Sequence, residues 1–270
     1  TGKKSGNVYY TRPDEKDSKA RWVYATNMDT LKTRKIAKIP RGNLNKVNAD
    51  ETLLLGSWVN GEEIKVGAPP KEQAYGPDRK PITYHKARGL RIRQVFEQRL
   101  ERTIFTVNIA TGEIKNVHTS RDWLNHLQFS PTDPNLIMFC HEGPWHEVDR
   151  LWTIRTDGTQ LTKVHERTMH MEIAGHEFFS ADGKTIWYDL QTPRSGVFWV
   201  AGYNLETKQR TWYNLTRDQW SIHFNVNKDG TLFAGDGGDE VQVAEAKDGK
   251  WIWLFRPVLA PNLATGPVAR

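Results

Sequence analysis

The chain has 270 residues and a mass of 31.1 kDa, which is within the range of one large domain. Its net charge of +6 and pI near 9.3 favour anionic partners. The charges are scattered, however, with no basic helix or RNA-binding aromatic strand, and no apolar run reaches the roughly 18 residues of a membrane helix. We therefore expect neither a nucleic-acid nor a membrane partner, and an acidic small molecule or sugar acid suits the charge better.

The single cysteine excludes an internal disulfide, so packing must supply the stability. Cys140 follows the apolar run Leu136–Phe139, which predicts a buried strand residue rather than a nucleophile. The first residues contain no apolar signal core, which favours a cytoplasmic location, with the periplasm as the alternative.

Alternating apolar and polar residues predict strands from the start of the chain. The first five of these segments are Asn7–Arg12, Arg21–Thr26, Arg34–Ile39, Leu44–Asp50 and Thr52–Trp58. A loop rich in Pro, Gly and charge follows over Gly61–Pro81, and then Gly89–Leu100 has apolar residues at helical spacing. We therefore predict a helix-bearing insertion near 60–102, which is either a lid or a spacer.

Three similar phrases recur later in the chain, each with a histidine, a short apolar strand and a turn that begins at Ser or Asn. They are His126-Leu-Gln-Phe-Ser-Pro-Thr-Asp, His176-Glu-Phe-Phe-Ser-Ala-Asp-Gly and His223-Phe-Asn-Val-Asn-Lys-Asp-Gly. The histidines stand 50 and 47 residues apart, a spacing typical of β-propeller blades and not explained by a β-sandwich. We predict an all-β chain, a β-propeller of four-stranded antiparallel blades with about five blades countable, in a single domain over 1–270.

The three histidines occupy one position of the repeat. Because the innermost strands of a propeller line its central channel, His126, His176 and His223 are expected to converge on a metal or on one ligand. A lone histidine at a strand start is more simply a loop hydrogen-bonding residue, but three in phase favour a site. The turns themselves are ordinary turn chemistry.

A polar and aromatic block, His141–Arg150, has no place in the strand pattern. Its Gly-Pro pair forces a turn, so Trp145 and His146 should lie on a loop. On that loop, Trp145 either stacks on a sugar ring or packs structurally. Arg150 either binds a substrate carboxylate bidentately or pairs structurally with Glu142 or Asp149.

These phrases, together with Gly175-His-Glu-Phe-Phe179 and Gly235-Asp-Gly-Gly-Asp239, resemble the oligogalacturonate lyases over about residues 40–256. The most specific of them is His141-Glu-Gly-Pro-Trp-His146. The resemblance implies a seven-bladed propeller that cleaves short pectin fragments by β-elimination. In that family a histidine removes the C5 proton, an arginine and manganese stabilise the carboxylate, and the 4-O-glycosidic bond breaks.

The resemblance also implies a role for each candidate residue. By position and spacing, it makes His176 the catalytic base, Arg150 the catalytic arginine and His223 the first metal ligand. The residues expected to line the sugar site are His126, His141, Trp145 and His146. The family's other ligands, a Gln and a His-x-His pair, have no match after Trp251–Pro257. This predicts either a chain incomplete at both ends relative to the family or a smaller propeller with a reduced metal site.

The predicted function is therefore a lyase that cleaves short oligogalacturonides to unsaturated uronates, with manganese or another divalent cation as cofactor. The alternative is a non-catalytic TolB-like propeller that binds a protein or a carbohydrate. A hydrolase that uses Glu142 and Glu177 is a third interpretation, although no sequence feature places these carboxylates at a glycosidase separation.

Overall fold

The computed structural model describes residues 2–64, 78–217, 219–237 and 253–255. Within them, the strands form five antiparallel sheets in which strand order follows chain order. Three sheets have four strands, and the first and last have three described strands each. The predicted all-β class with four-stranded antiparallel blades is confirmed.

The strands follow one another along the chain, and the connection between the fifth and the sixth contains the helix. Grouped by sheet, they are β1 (Asn7–Pro13), β2 (Arg21–Asn27) and β3 (Thr33–Ile39); β4 (Asn43–Val47), β5 (Leu53–Asn60), β6 (Glu101–Asn108) and β7 (Ile114–Ser120); β8 (Trp123–Phe129), β9 (Leu136–Glu142), β10 (Leu151–Arg155) and β11 (Thr162–Lys163); β12 (Ile173–Phe179), β13 (Thr185–Gln191), β14 (Phe198–Asn204) and β15 (Arg210–Leu215); and β16 (Phe224–Val226), β17 (Phe233–Gly235) and β18 (Trp253–Phe255).

Burial differs from strand to strand. In β2, Val23 and Ala25 are buried while Trp22 and Tyr24 on the other face stay partly exposed, as the alternation of side chains in a strand requires. Strand β9, the second strand of its sheet, is instead buried along nearly its whole length. Cys140 lies there with no exposed surface, which confirms its prediction as a buried strand residue.

The predicted turns close through their own polar side chains. The backbone N–H of Thr185 donates to the Ser180 hydroxyl at 2.9 Å, and that of Thr231 donates to the side-chain oxygen of Asn227 at 2.9 Å. Such short side-chain bonds replace the ladder where a strand reverses. The recurring Ser or Asn therefore serves the scaffold rather than the chemistry.

The chain divides into two compact units. The first comprises Thr1–Phe129, Pro134–Pro144 and Trp152–Thr162, and the second comprises Ser130–Asp133, Trp145–Leu151 and Lys163–Arg270. In the first unit, buried side chains of the β4–β7 sheet pack both with the β1–β3 sheet and with the β8–β9 strands. In the second, the core is largely aromatic. Its buried members are Trp187, Phe198, Val200, Leu215, Trp220, Phe224 and Phe233.

The insertion contains the predicted helix, but its bounds differ from the prediction. Helix α1 spans Tyr84–Glu97 and begins before Gly89, because Thr83 caps it by accepting the N–H of Lys86 at 3.3 Å. It ends before Arg99, whose φ of 47° is left-handed. Part of the predicted loop, residues 65–77, lies outside the described residues, so the choice between lid and spacer stays a prediction. No helix in the described ranges has the length and apolarity needed to cross a membrane.

The sequence predicted that His126 and His176 open their strands. In the structure they lie inside the strands, at β-bulges. The register of β8 on β9 shifts between Asn125 and Gln128, and that of β12 on β13 shifts between Gly175 and Phe178. Both histidines have a φ of 51°, which is uncommon for a residue with a Cβ. The extra residue of each bulge re-aims a side chain that regular pleating would fix. His223 instead immediately precedes β16.

The left-handed backbone of His126 leads to a stability prediction. We expect the free energy of unfolding of His126→Gly to exceed that of His126→Ala by about 1 kcal/mol, because only glycine adopts this φ without strain. Denaturant unfolding followed by circular dichroism measures the difference. At Gln128 in the same strand the order should reverse, since glycine weakens regular strands. If the glycine and alanine variants have the same order of stability at both positions, the left-handed φ of His126 is contradicted.

Candidate active site

Four of the predicted site residues lie in contact in the second unit. The guanidinium carbon of Arg150 is 4.2 Å from the ring centroid of Trp145. The rings of Trp145 and His176 meet edge to face at 4.9 Å between centroids, and those of His176 and His223 at 4.6 Å. The residues predicted as base, arginine and metal ligand are therefore brought together in one series of contacts, with Trp145 between Arg150 and His176. The convergence of His126 with this group stays a prediction.

The bulge in β12 presents His176 to a ligand. Gly175 pairs with Asp189 and Phe178 with Trp187, so the two intervening residues, His176 and Glu177, share one partner position. Glu177 is 4% exposed, whereas His176 is partly exposed. The bulge thus turns one side chain inward and leaves the imidazole accessible.

Gly175 makes the close approach of Trp145 possible. A Cβ at this position would lie 2.7 Å from the indole ring of Trp145, which no side chain tolerates without movement. With Arg150 over the ring, the indole is already packed by protein groups. This geometry favours the structural interpretation of Trp145 over sugar stacking.

The loop that carries Trp145 is held by Asp149. Its Oδ2 accepts the Lys163 ammonium at 2.8 Å, and its Oδ1 accepts the backbone N–H of Arg167 at 3.1 Å. The Arg167 guanidinium also donates to the carbonyl of His146. Burial alone would raise the pKa of Asp149, but the bonds from Lys163 and Arg167 hold it below its ordinary value. The carboxylate therefore stays ionised and fixes the loop.

Arg150 is the largest fully buried side chain among the described residues, at 1% exposed. A guanidinium stays charged at any pH a protein meets. Its field is felt more strongly in a low-dielectric interior than at the surface. Arg150 is therefore a preorganised positive charge rather than a mobile surface clamp.

His223 is hydrogen-bonded to Asp236, a residue that the sequence did not single out. His223 Nδ1 lies 2.6 Å from Asp236 Oδ2, and the backbone N–H of His223 donates to Oδ1 at 3.0 Å. This orients the ring and leaves Nε2 facing away from the carboxylate. The available signal was the Gly235–Asp239 phrase, of which residues 238 and 239 lie outside the described residues.

A metal-ligating histidine usually donates the N–H of its other ring nitrogen to a carboxylate or a carbonyl. His223, oriented by Asp236, could therefore supply one ligand to a manganese ion through Nε2. Manganese, however, prefers an octahedral set of oxygen and nitrogen ligands. The described residues of the second unit contain among themselves no group of three His, Cys, Asp or Glu side chains placed to share one metal ion. These residues do not by themselves form the metal site.

Two buried acidic groups flank the strand of His176. Glu172 accepts His165 Nε2 at 2.6 Å and the N–H of Thr168 at 2.8 Å. Burial alone would raise the pKa of Glu172, but these bonds hold it below its ordinary value. Asp189 differs, because complete burial raises its pKa to about 7 despite hydrogen bonds from Trp220 and Gln191.

The raised pKa of Asp189 makes stability depend on pH. From pH 3.8 to about 7 the folded chain holds a proton on this group that the unfolded chain has lost. The free energy of unfolding therefore falls as pH rises through that window, by on the order of 4 kcal/mol in total. Asp189→Asn does not titrate, so its stability relative to wild type should climb over the same window and then level off. Denaturant unfolding at several pH values measures this, and a difference independent of pH would contradict it.

The first unit holds two further predicted residues, His126 and His141. His126 Nε2 lies 3.5 Å from Glu142 Oε2. His141 stacks on Trp152 at 4.8 Å between centroids, and its Nδ1 is 3.9 Å from Asp122. Burial opposes ionisation of Asp122, yet a bond from Ser120 and nearby charges lower the pKa of Asp122. Both histidines thus have a carboxylate beside them in their own unit.

Several known proteins are similar to this chain. A family model described as oligogalacturonate lyase matches residues 76–254, about two thirds of the chain. The oligogalacturonide lyase of Pectobacterium atrosepticum is 28% identical over 216 residues, which are 79% of this chain and 50% of that protein. The oligogalacturonate lyase of Dickeya dadantii is 29% identical over 217 residues, 78% of this chain and 50% of that one. The chain therefore spans about half the length of these relatives.

The fold has a counterpart among solved structures. An oligogalacturonate lyase in complex with manganese superimposes with a TM-score of 0.68 at 23% identity, covering 93% of this chain and 62% of that chain. This likeness defines the class of protein, a propeller-type chain of antiparallel blades. With the match over residues 76–254, the chain belongs to the oligogalacturonate lyase family. The resemblance seen in the sequence is confirmed.

Proposed function

We propose that this chain acts on short oligogalacturonides as a pectin-degrading lyase, by β-elimination. The observation that carries the proposal is the contact series Arg150, Trp145, His176 and His223, which joins a partly exposed imidazole to a fixed positive charge. Membership in the oligogalacturonate lyase family supports it.

In the proposed reaction, His176 takes the proton from C5 of a galacturonate. The C5–H electron pair becomes the C4–C5 double bond, the C4–O bond breaks, and the leaving oxygen gains a proton. No water is added, so the product has an unsaturated uronate at its new end. Negative charge builds on the carboxylate attached to C5, and the preorganised charge of Arg150 stabilises it.

The remaining predicted residues have supporting roles. His126, His141 and His146 are proposed to line the sugar site. For His146, the support is its buried Nδ1, which has no hydrogen-bond partner in the described part of the chain; a sugar hydroxyl would satisfy it. His223 would bring one ligand to a divalent ion, and the manganese-bound relative supports that metal.

The test is to incubate the chain with digalacturonate and follow the ultraviolet absorbance of the unsaturated uronate, with and without Mn²⁺. The proposal expects product to accumulate in proportion to enzyme. Cleavage that gives two saturated galacturonates and no unsaturated uronate would indicate hydrolysis instead. Binding without turnover, at enzyme concentrations comparable to the substrate, would favour a non-catalytic carbohydrate-binding chain and reject the lyase.

A further inference from the structure

Asp189 lies between the strand that carries His176 and the turn that carries His223. It sits within β13, in register with Gly175, the residue before His176. Asp189 is 1% exposed. Its Oδ1 accepts the indole N–H of Trp220 at 2.9 Å, and its Oδ2 accepts the side-chain amide of Gln191 at 3.1 Å. One buried carboxyl therefore links both parts of the candidate site.

The turn from Trp220 to His223 is held on one side by hydrogen bonds to Asp236 and Gly237. Ser221 is fully buried, and its hydroxyl accepts the N–H of Gly237 at 3.1 Å. The N–H of Ile222 donates to the Gly237 carbonyl at 3.0 Å. The His223 side chain is 65% exposed, and its Nδ1 contacts Asp236. These bonds fix the end of the turn, and the bond from Trp220 to Asp189 fixes its start.

Trp220 is anchored at both its ring and its N–H. The ring packs in the aromatic core, 5.2 Å from Phe198 between centroids. Packing alone leaves an indole free to slide or tilt, whereas a directional bond to a buried acceptor fixes its orientation. A buried carboxyl is costly unless it is hydrogen-bonded, so the bond between Trp220 and Asp189 is strongly maintained.

We propose that Asp189 is a positioning residue, which holds Trp220 and thereby sets the turn so that His223 meets His176. Asp189 touches no reacting atom in this role. Its effect on turnover rests on the lyase function proposed above. Its effect on the placement of His223 does not.

Two substitutions remove the bond from opposite sides, and a third preserves it. Trp220→Phe removes the donor N–H and keeps an aromatic ring, and Asp189→Ala removes the acceptor. Asp189→Asn keeps an oxygen for the indole. The probe is the imidazole carbon–proton resonances of metal-free protein labelled at histidine, with His176 and His223 assigned by their glutamine variants.

We expect Trp220→Phe and Asp189→Ala to shift the His223 and His176 resonances by more than a line width. Asp189→Asn should leave them close to the wild-type positions, and the resonances of His118 in the first unit should not move in any variant. Unshifted His223 and His176 resonances in a folded variant that has lost the bond would overturn the proposal. If Trp220→Phe does not fold, the His223 and His176 resonances of Asp189→Ala test the same expectation.

A kinetic arm separates this proposal from the function it rests on. With digalacturonate, Trp220→Phe and Asp189→Ala should each lower kcat by about tenfold or more with KM nearly unchanged, because small misplacements of reacting groups are costly. Asp189→Asn, which keeps the acceptor oxygen, should retain most of the wild-type kcat. Shifted resonances with an unchanged kcat would overturn the catalytic consequence. Shifted resonances in a wild type that never turns over would reject the lyase while supporting the placement of His223.

Discussion

Replacing His176 by asparagine is expected to lower kcat/KM on digalacturonate by about 10²–10⁴-fold, the usual loss when a general base is removed. Asparagine suits the test because it tolerates the left-handed φ of 51° better than most residues. It also retains a short polar side chain. The loss would therefore reflect the missing proton acceptor rather than a collapsed bulge.

His170 provides the matched control, since it is an exposed histidine of the same unit. His170→Asn should leave kcat/KM and thermal stability at wild-type values. The base assignment is wrong if His176→Asn keeps more than a tenth of the wild-type kcat/KM while folding normally. In that event His223, oriented by Asp236, becomes the next candidate for the proton acceptor.

Replacing Arg150 by methionine is expected to lower kcat/KM by about 10²–10³-fold, as the loss of one preorganised charge stabiliser does elsewhere. Methionine fills much of the same volume, so the main loss is the positive charge beside Trp145. The lost cation–π contact should also lower the free energy of unfolding by about 0.5–2 kcal/mol. Steady-state kinetics and denaturant unfolding measure the two effects separately.

Arg194 is exposed, so Arg194→Met makes the same change of net charge away from the contact series. It should leave kcat/KM unchanged. If Arg150→Met and Arg194→Met reduce kcat/KM equally, the effect comes from the overall charge of the chain. Arg150 would then have no special role in stabilising the developing carboxylate charge.

The scaffold was readable from the sequence because its signals are local. Alternating strands and Ser or Asn turns, such as the one at Ser180, specify blades without reference to distant residues. The start of helix α1 is harder to predict, because Gly89 favours a helix boundary. A single glycine is nevertheless tolerated inside a helix, and Thr83 supplies the cap. Local propensity was correct for the type of element but not for its bounds.

The site was only partly readable. His176, Arg150 and His223 were identified from their phrases, but the bulge that aims His176 has no compositional signal, because left-handed positions usually attract glycine. Asp236 could not be assigned from the sequence, because its hydrogen bond with His223 joins the two ends of a β-hairpin. Asp189 is the one acidic residue of the largely apolar strand β13, and this isolated charge is the only sequence signal of its role. Such roles depend on tertiary contacts that periodicity does not encode.

Mass spectrometry of the products of digalacturonate cleavage distinguishes elimination from hydrolysis most directly, with His176→Asn as the control. β-Elimination adds no water across the glycosidic bond. Each digalacturonate should therefore give one galacturonate and one unsaturated uronate whose masses sum to that of the substrate, with product formation strongly reduced in the variant. Two saturated galacturonates, which together carry one added water, would contradict the proposed lyase.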